Sequence, residues 1–220
     1  RWGEAIAIEL WNLGAGNEIY NINCNTWLSL VNFPNIYDDP TGTENVKVHD
    51  VKMIDKDGIS SKEAIECALP GMEIYNCYFE NKGFGMAIWD QGNKNITIRN
   101  NTFFNTAIQS SFSNAGPIYI DNSKGVNYTG IKIYNNIFEK YKNAIVIKGK
   151  KIVDVEIKNN VFLNVSGFDI SNTATSPVPT ISFQNNLKYT SGQTAIWSTS
   201  GTITTNTDNI IGDPEFQNTG

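Results

Sequence analysis

Apolar and polar residues alternate along short segments that recur every 24 to 35 residues of this 220-residue chain. In each segment an apolar residue stands two positions before an Asn or Asp, at positions 21, 50, 76, 100, 135, 159 and 185. Alternation with a period of two predicts β-strands with one face turned inward. Repetition at this interval is typical of a solenoid, and the abundance of β-branched and aromatic residues predicts coils built from strands.

The Asn or Asp of each repeat is predicted to form a corner between two strands, because these residues tolerate the left-handed backbone that a sharp corner needs. The next position holds Ile22, Val51 and Cys77 in the first three repeats and Asn in the later four, so we expect it to face the interior. Buried amides need partners. Stacked coils about 4.8 Å apart would provide them through a ladder of Asn101, Asn136, Asn160 and Asn186.

A second strand recurs in each coil, and its outward positions carry the side chains that are the best candidates for a functional site. Stacking in register predicts that Trp89, Asp121 and Lys148 are neighbours on adjacent coils. The residues expected to flank them or to share their face are Glu66, Asp90, Tyr119, Asp169 and Trp197.

The longest step, of 35 residues, leaves one strand open to two interpretations. Ile118–Asp121 is preferred, because its spacing to the next strand equals that found in a later coil. The alternative strand, Asn105–Ser111, would move Asp121 away from Lys148. Under the preferred register, residues 104–115 form a loop along one side of the face, where function is often located.

This Asn-Asn repeat resembles the right-handed parallel β-helix family, the fold of pectate, alginate and chondroitin lyases and of several glycoside hydrolases. The resemblance extends from about Glu4 to Phe216, and the closing Ile210–Phe216 is similar to a segment common at the end of such helices in secreted bacterial proteins. It implies one all-β domain over residues 1–220, a single-stranded parallel β-helix of about seven to eight coils, the last of them faint around Ile203–Asn206. It also implies an extracellular location, secreted or on the cell surface.

Charge and hydropathy limit the classes of partner that we expect for this chain. The net charge of −5 argues against nucleic acid, and there is no run of 18 apolar residues that would span a membrane. The first residues of the sequence lack the pattern of a signal peptide. The strand-like segment Glu4–Glu9 begins almost at Arg1 without a capping helix, which favours a longer precursor with another domain or chain segment before residue 1.

The three cysteines, Cys24, Cys67 and Cys77, all fall on inward positions. Core thiols are the favoured interpretation, and a Cys67–Cys77 disulfide is the alternative. His49 is the only histidine and lies on an outward position, so we expect a surface residue. A single histidine argues against a His-based catalytic triad and against a multi-histidine zinc site.

Two classes of function remain open. A polysaccharide-processing enzyme would use Asp121 and Asp90 as acid, base or nucleophile, since a glycosidase needs a pair of carboxyl groups. Lys148 would adjust their pKa, contact the substrate, or act as the base of a lyase that holds Ca²⁺ with its acidic residues. One basic residue on the face argues against a lyase of polyuronates. Calcium is the only cofactor that these residues suggest. The loop containing Asp38 and Asp39 is either a plain turn or a second calcium-binding site.

The second class is a non-catalytic carbohydrate-binding or adhesive β-helix that attaches to plant cell-wall polysaccharide. Trp89 and Trp197 would then stack on sugar rings, although aromatic stacking between coils explains them equally well. The non-functional interpretation of the whole face is a set of solvated strand residues with an incidental Asp121–Lys148 ion pair. The sequence specifies neither the glycan nor the linkage.

Overall fold

The computed structural model describes residues 8–11, 16–24, 28–31, 45–55, 60–67, 70–89, 95–108, 116–122, 127–175, 179–191, 199–200 and 202–213. Within these ranges all regular elements are strands. In chain order they are β1 (Ile8–Trp11), β2 (Glu18–Tyr20), β3 (Asn23–Cys24), β4 (Leu28–Val31), β5 (Lys47–His49), β6 (Lys52–Ile54), β7 (Ser60–Cys67), β8 (Glu73–Tyr75), β9 (Tyr78–Glu80), β10 (Lys82–Trp89), β11 (Thr97–Arg99), β12 (Thr102–Phe104), β13 (Ile118–Asn122), β14 (Ile131–Tyr134), β15 (Ile137–Glu139), β16 (Ile145–Gly149), β17 (Val155–Lys158), β18 (Val161–Leu163), β19 (Ile170–Asn172), β20 (Ile181–Gln184), β21 (Leu187–Tyr189), β22 (Thr199–Ser200), β23 (Thr205–Thr207) and β24 (Ile210–Ile211).

These strands form three sheets of eight strands each, here called sheets A, B and C. Each coil gives one strand to each sheet, so sheet A begins β1-β4-β7, sheet B begins β2-β5-β8 and sheet C begins β3-β6-β9. Neighbouring strands in every sheet are parallel, as the first pairs of the three sheets illustrate. The architecture is therefore a parallel β-helix with eight coils in the described residues, and the predicted fold class is confirmed.

The corner between sheets B and C has the predicted left-handed backbone in every described coil. Positive φ angles of 53–58° occur at Asn21, Asp50, Asn76, Asn100, Asn135, Asn159, Asn185 and Asp208. A left-handed conformation costs most residues free energy, whereas Asn and Asp adopt it readily. The repeated Asn or Asp thus sets where each coil turns.

The internal ladder of amides is also confirmed. The Oδ1 atom of Asn136 accepts hydrogen bonds from the backbone N–H and the Nδ2 atom of Asn101, at 3.0 and 3.1 Å. Asn160 and Asn186 repeat this geometry on the following coils. The ladder continues to Asn209, which accepts from Asn186 at 2.8 and 2.9 Å. The sequence interpretation had centred that faint coil on Ile203–Asn206, whereas its corner is Asp208 and its ladder residue is Asn209.

Phenylalanine rings fill the interior beside this ladder. Phe79, Phe103, Phe138 and Phe162 occupy successive inward positions of sheet C, with ring centroids 5.1–5.2 Å apart. On the next coil the same position belongs to Lys188. The aromatic column therefore ends at a buried cation, a feature that the hydrophobic pattern did not predict.

Two smaller expectations are settled by the described residues. Cys77 is a buried free thiol, so the alternative of a Cys67–Cys77 disulfide is wrong. His49 lies on the outer side of sheet B as predicted, with its ring stacked between Tyr20 at 5.3 Å and Tyr75 at 4.8 Å. The loop containing Asp38 and Asp39 lies outside the described residues.

Candidate functional site

The candidate site lies on the outer side of sheet A, where three successive strands run in register. Trp89 at the end of β10 pairs with Asp121 of β13. Asp121 pairs in turn with Lys148 of β16. The strand Ile118–Asn122 thus takes the preferred register, and the expectation that these three residues are neighbours on adjacent coils is confirmed.

The centre of the site is a three-residue cluster, hereafter the Asp121 cluster, that consists of Tyr119, Asp121 and Lys148. The Tyr119 hydroxyl donates to Asp121 Oδ2 at 3.0 Å. The Lys148 ammonium lies 3.1 Å from the same oxygen. It also lies 4.9 Å from the centroid of the Tyr119 ring, which is within the range of a cation–π contact. One carboxylate oxygen is thus held by two donors.

Local sequence explains how the strand ends come this close. Gly149 follows Lys148 with a φ of +99°, and a Cβ there would overlap the backbone of Asn122 on the neighbouring coil. Only glycine fits such an approach at such an angle. The Asn122 side chain donates to the carbonyl of Lys150 and fastens the two chain segments together. Asn122 and Gly149 therefore fix the spacing at which Lys148 meets Asp121, and neither was singled out from the sequence.

Most of the outer side of sheet A around this cluster is covered. Tyr119 and Val146 are each 4% exposed, and Ala87 is fully buried although it points away from the core. Phe84 packs edge-on against Tyr119 at 5.2 Å. The Lys148 side chain, at 38%, is the most exposed member of the cluster. The ammonium group is therefore the part of the cluster most accessible to a ligand, and the Asp121 side chain, at 13%, is less accessible.

The protonation properties of the cluster follow from its burial and its hydrogen bonds. Burial raises the pKa of Tyr119 above its usual value, so the phenol is a neutral donor near pH 7. Burial acts to lower the pKa of Lys148, but its hydrogen bonds with Tyr119 and Asp121 outweigh this and raise the pKa above its usual value. Lys148 is therefore a fixed cation, which suits binding a ligand oxygen and does not suit the role of a general base.

The remaining predicted site residues are not all brought together. The backbone of Glu66 pairs with that of Ala87 on the next coil. Ala87 pairs in turn with Tyr119 on the coil after that. For Glu66 and Trp89 only the backbone position is described, and Asp90 and Trp197 lie outside the described residues. Among the described side chains, the Tyr119 phenol and the Lys148 ammonium group therefore contact the Asp121 carboxylate.

The expectation that Asp169 lies outward on this face is wrong. Ser171, and not Asp169, pairs with Val146. Asp169 is fully buried and its carboxylate binds the Lys188 ammonium at 2.7 Å. Ile170, and not Phe168, aligns with the inward Ile145, and Phe168 is 39% exposed. A buried charge is tolerated here because its counter-ion lies beside it.

Among the described residues there is no group of three or more His, Cys, Asp or Glu side chains that could hold a metal ion. In the same part of the chain no helix is long and apolar enough to cross a membrane. No protein-family model, curated protein or solved structure matches this chain. The class of protein is thus defined by its fold, a parallel β-helix, and the Asp121 cluster is an outward-facing arrangement of polar groups on its sheet A.

Proposed function

We propose that this protein binds a polysaccharide through the Asp121 cluster on the outer side of sheet A. The observation that carries the proposal is the Lys148 ammonium group, half-exposed yet held in place by a carboxylate and an aromatic ring. A side chain that is already ordered loses little conformational entropy when a ligand binds. The resemblance to polysaccharide-active β-helices points to a glycan as the ligand.

The chemistry of the cluster favours binding over catalysis. A glycosidase pairs its acid with a second carboxyl group, for which the candidate Asp90 lies outside the described residues; the described groups that touch the Asp121 carboxylate are Tyr119 and Lys148. A lyase needs a base, and the raised pKa of Lys148 keeps it protonated. An ammonium group beside a carboxylate offers one donor site and one acceptor site, which matches the hydroxyl groups of a sugar. A cell-wall glycan as ligand entails an extracellular location, which is part of the proposal.

A panel of neutral and uronate polysaccharides, scored for both binding and release of reducing ends, tests this function. Lys148→Met should weaken binding about ten- to a hundredfold, because a hydrogen bond to a charged group is worth about 1.5–3 kcal/mol. Lys158→Met is the matched control, since it removes the same charge from an ion pair with Glu156 on the outer side of sheet B. It should leave binding unchanged.

The same assay separates the two classes of function. If the protein is a binder, no product appears with any glycan, and Asp121→Asn only weakens binding. Product release that disappears in Asp121→Asn would replace the binding proposal by the enzymatic one. Equal binding of the wild type, Lys148→Met and Asp121→Asn to every glycan that binds would remove the Asp121 cluster from consideration.

A further inference from the structure

The interior of the β-helix contains an ion pair in its seventh coil. Lys188 occupies the inward position that phenylalanine holds on four earlier coils, directly in register with Phe162. Its ammonium nitrogen lies 2.7 Å from Oδ2 of Asp169, which directly precedes strand β19. The two side chains are only 4% and 0% exposed. A lysine and an aspartate are thus held together in the apolar core.

A pair of ions is a costly way to fill this position. Desolvation of two charges often outweighs their attraction, and well-packed neutral groups are frequently more stable in the same place. An amide that joined the two side chains would carry no charge and would need only ordinary hydrogen-bond partners. Burial of the pair also disfavours the reverse reaction, because hydrolysis requires a water molecule at the bond.

We propose that Lys188 and Asp169 form an intramolecular isopeptide bond. A proton passes from the ammonium group to the carboxylate along their hydrogen bond, which leaves an amine and a carboxylic acid. The lone pair of Nζ then attacks the carboxyl carbon of Asp169. A C–N bond forms, a C–O bond breaks, and the leaving hydroxyl departs as water with a proton from the nitrogen. The reaction releases one water molecule and needs no oxidant or cofactor.

The fold holds the two reacting groups close together, whereas in solution they meet only rarely. A nitrogen that is hydrogen-bonded to one carboxyl oxygen is already close to the carboxyl carbon, and reacting groups held in contact gain effective concentrations of about 10⁵–10⁸ M. The Asn186–Asn209 step of the ladder fixes the strand that carries Lys188. The backbone N–H of Ile145 donates to the Asp169 carbonyl at 3.1 Å and fixes the other partner. These bonds hold the two backbone segments that carry Lys188 and Asp169 at this separation.

The sequence permits a direct test by mass spectrometry. Lys188 is the last Lys or Arg in the chain, and the nearest one before it is Lys158. Trypsin therefore cuts an unlinked chain into peptides 159–188 and 189–220. An acylated lysine is not cut. The linked protein should give one peptide, 159–220, whose mass is one water below the sequence mass, and the intact denatured protein should show the same deficit.

A matched pair of variants assigns the bond. Lys188→Arg keeps the positive charge and the trypsin site but has no nucleophilic amine, so it should show the full sequence mass and cleavage at position 188. Asp169→Ala removes the acceptor and should restore cleavage after Lys188. Wild-type protein that yields the two separate peptides at full mass overturns the proposal without reference to any variant. A water deficit that persists in Lys188→Arg would also overturn it, because the dehydration would then lie elsewhere.

Discussion

The amide ladder makes a quantitative prediction for the substitution Asn136→Leu. Asn136 lies in the middle of the ladder and is fully buried. Its Oδ1 atom accepts from the backbone N–H of Asn101 at 3.0 Å, and its Nδ2 atom donates to Asn160 at 3.0 Å. Leucine fills a similar volume, and the apolar Val51 in the same column shows that the interior accommodates such a side chain.

The expected loss follows from the group that has no other partner. The side-chain amide of Asn101 still donates to the Ile74 carbonyl, and Asn160 still accepts from the backbone N–H of residue 136. The backbone N–H of Asn101, in contrast, loses its acceptor. A buried donor without an acceptor costs about 1–3 kcal/mol. For a chain of this length, that corresponds to a decrease in melting temperature of about 2–12 °C.

Thermal unfolding followed by circular dichroism measures this difference, and Asn209→Leu provides the matched control. Asn209 makes the same hydrogen bonds at the end of the ladder but is only half-buried, so water can replace part of what is lost. The central substitution should therefore cost more than the terminal one. An unchanged melting temperature for Asn136→Leu, or an equal decrease in both variants, would refute the explanation by a buried donor.

Further predictions concern the corner, the core and the buried thiol. Asn135→Val should cost about 1–2 kcal/mol in urea unfolding, because valine resists a φ of 56°, whereas Asn135→Gly should be nearly neutral. Phe138→Ala should cost about 3–5 kcal/mol by removing the centre of the aromatic column, and Phe104→Ala on the outer side should cost clearly less. Burial raises the pKa of Cys77 from 9.0 to about 12. The thiol thus ionises more readily when unfolded, and stability should fall as the pH rises from 9 towards 12, less steeply in Cys77→Val.

The fold was predictable because each coil repeats the same physical requirement. An Asn or Asp at every turn and an apolar residue two positions earlier are visible in the sequence, and each reports a local constraint. The register of Trp89, Asp121 and Lys148 followed, because parallel coils stack residue on residue. Asn209 escaped prediction because its coil has Asn206 where the earlier coil has Phe183. The interior needs less apolar filling at its end, so the pattern weakens there.

The Lys188–Asp169 pair and the covering of sheet A could not be read from alternation alone. A signal for Lys188 did exist: it lies two residues after the ladder residue Asn186, where Phe103, Phe138 and Phe162 follow theirs. A lysine at an inward position requires a buried counter-ion, but the partner is 19 residues away, and the pattern does not say which acid it is. The burial of Tyr119 likewise depends on contacts between segments distant in sequence.

The stacking of coils has a mechanical consequence. Hydrogen bonds between parallel strands run along the axis of the β-helix, in the same direction as the amide ladder and the column of phenylalanine rings. A pulling force applied between the first and last coils loads these bonds along their own length, one layer at a time. A force applied across the axis must instead shear three sheets at once. Single-molecule stretching should therefore show low, stepwise resistance along the axis, with one step for each coil, and much greater resistance across it.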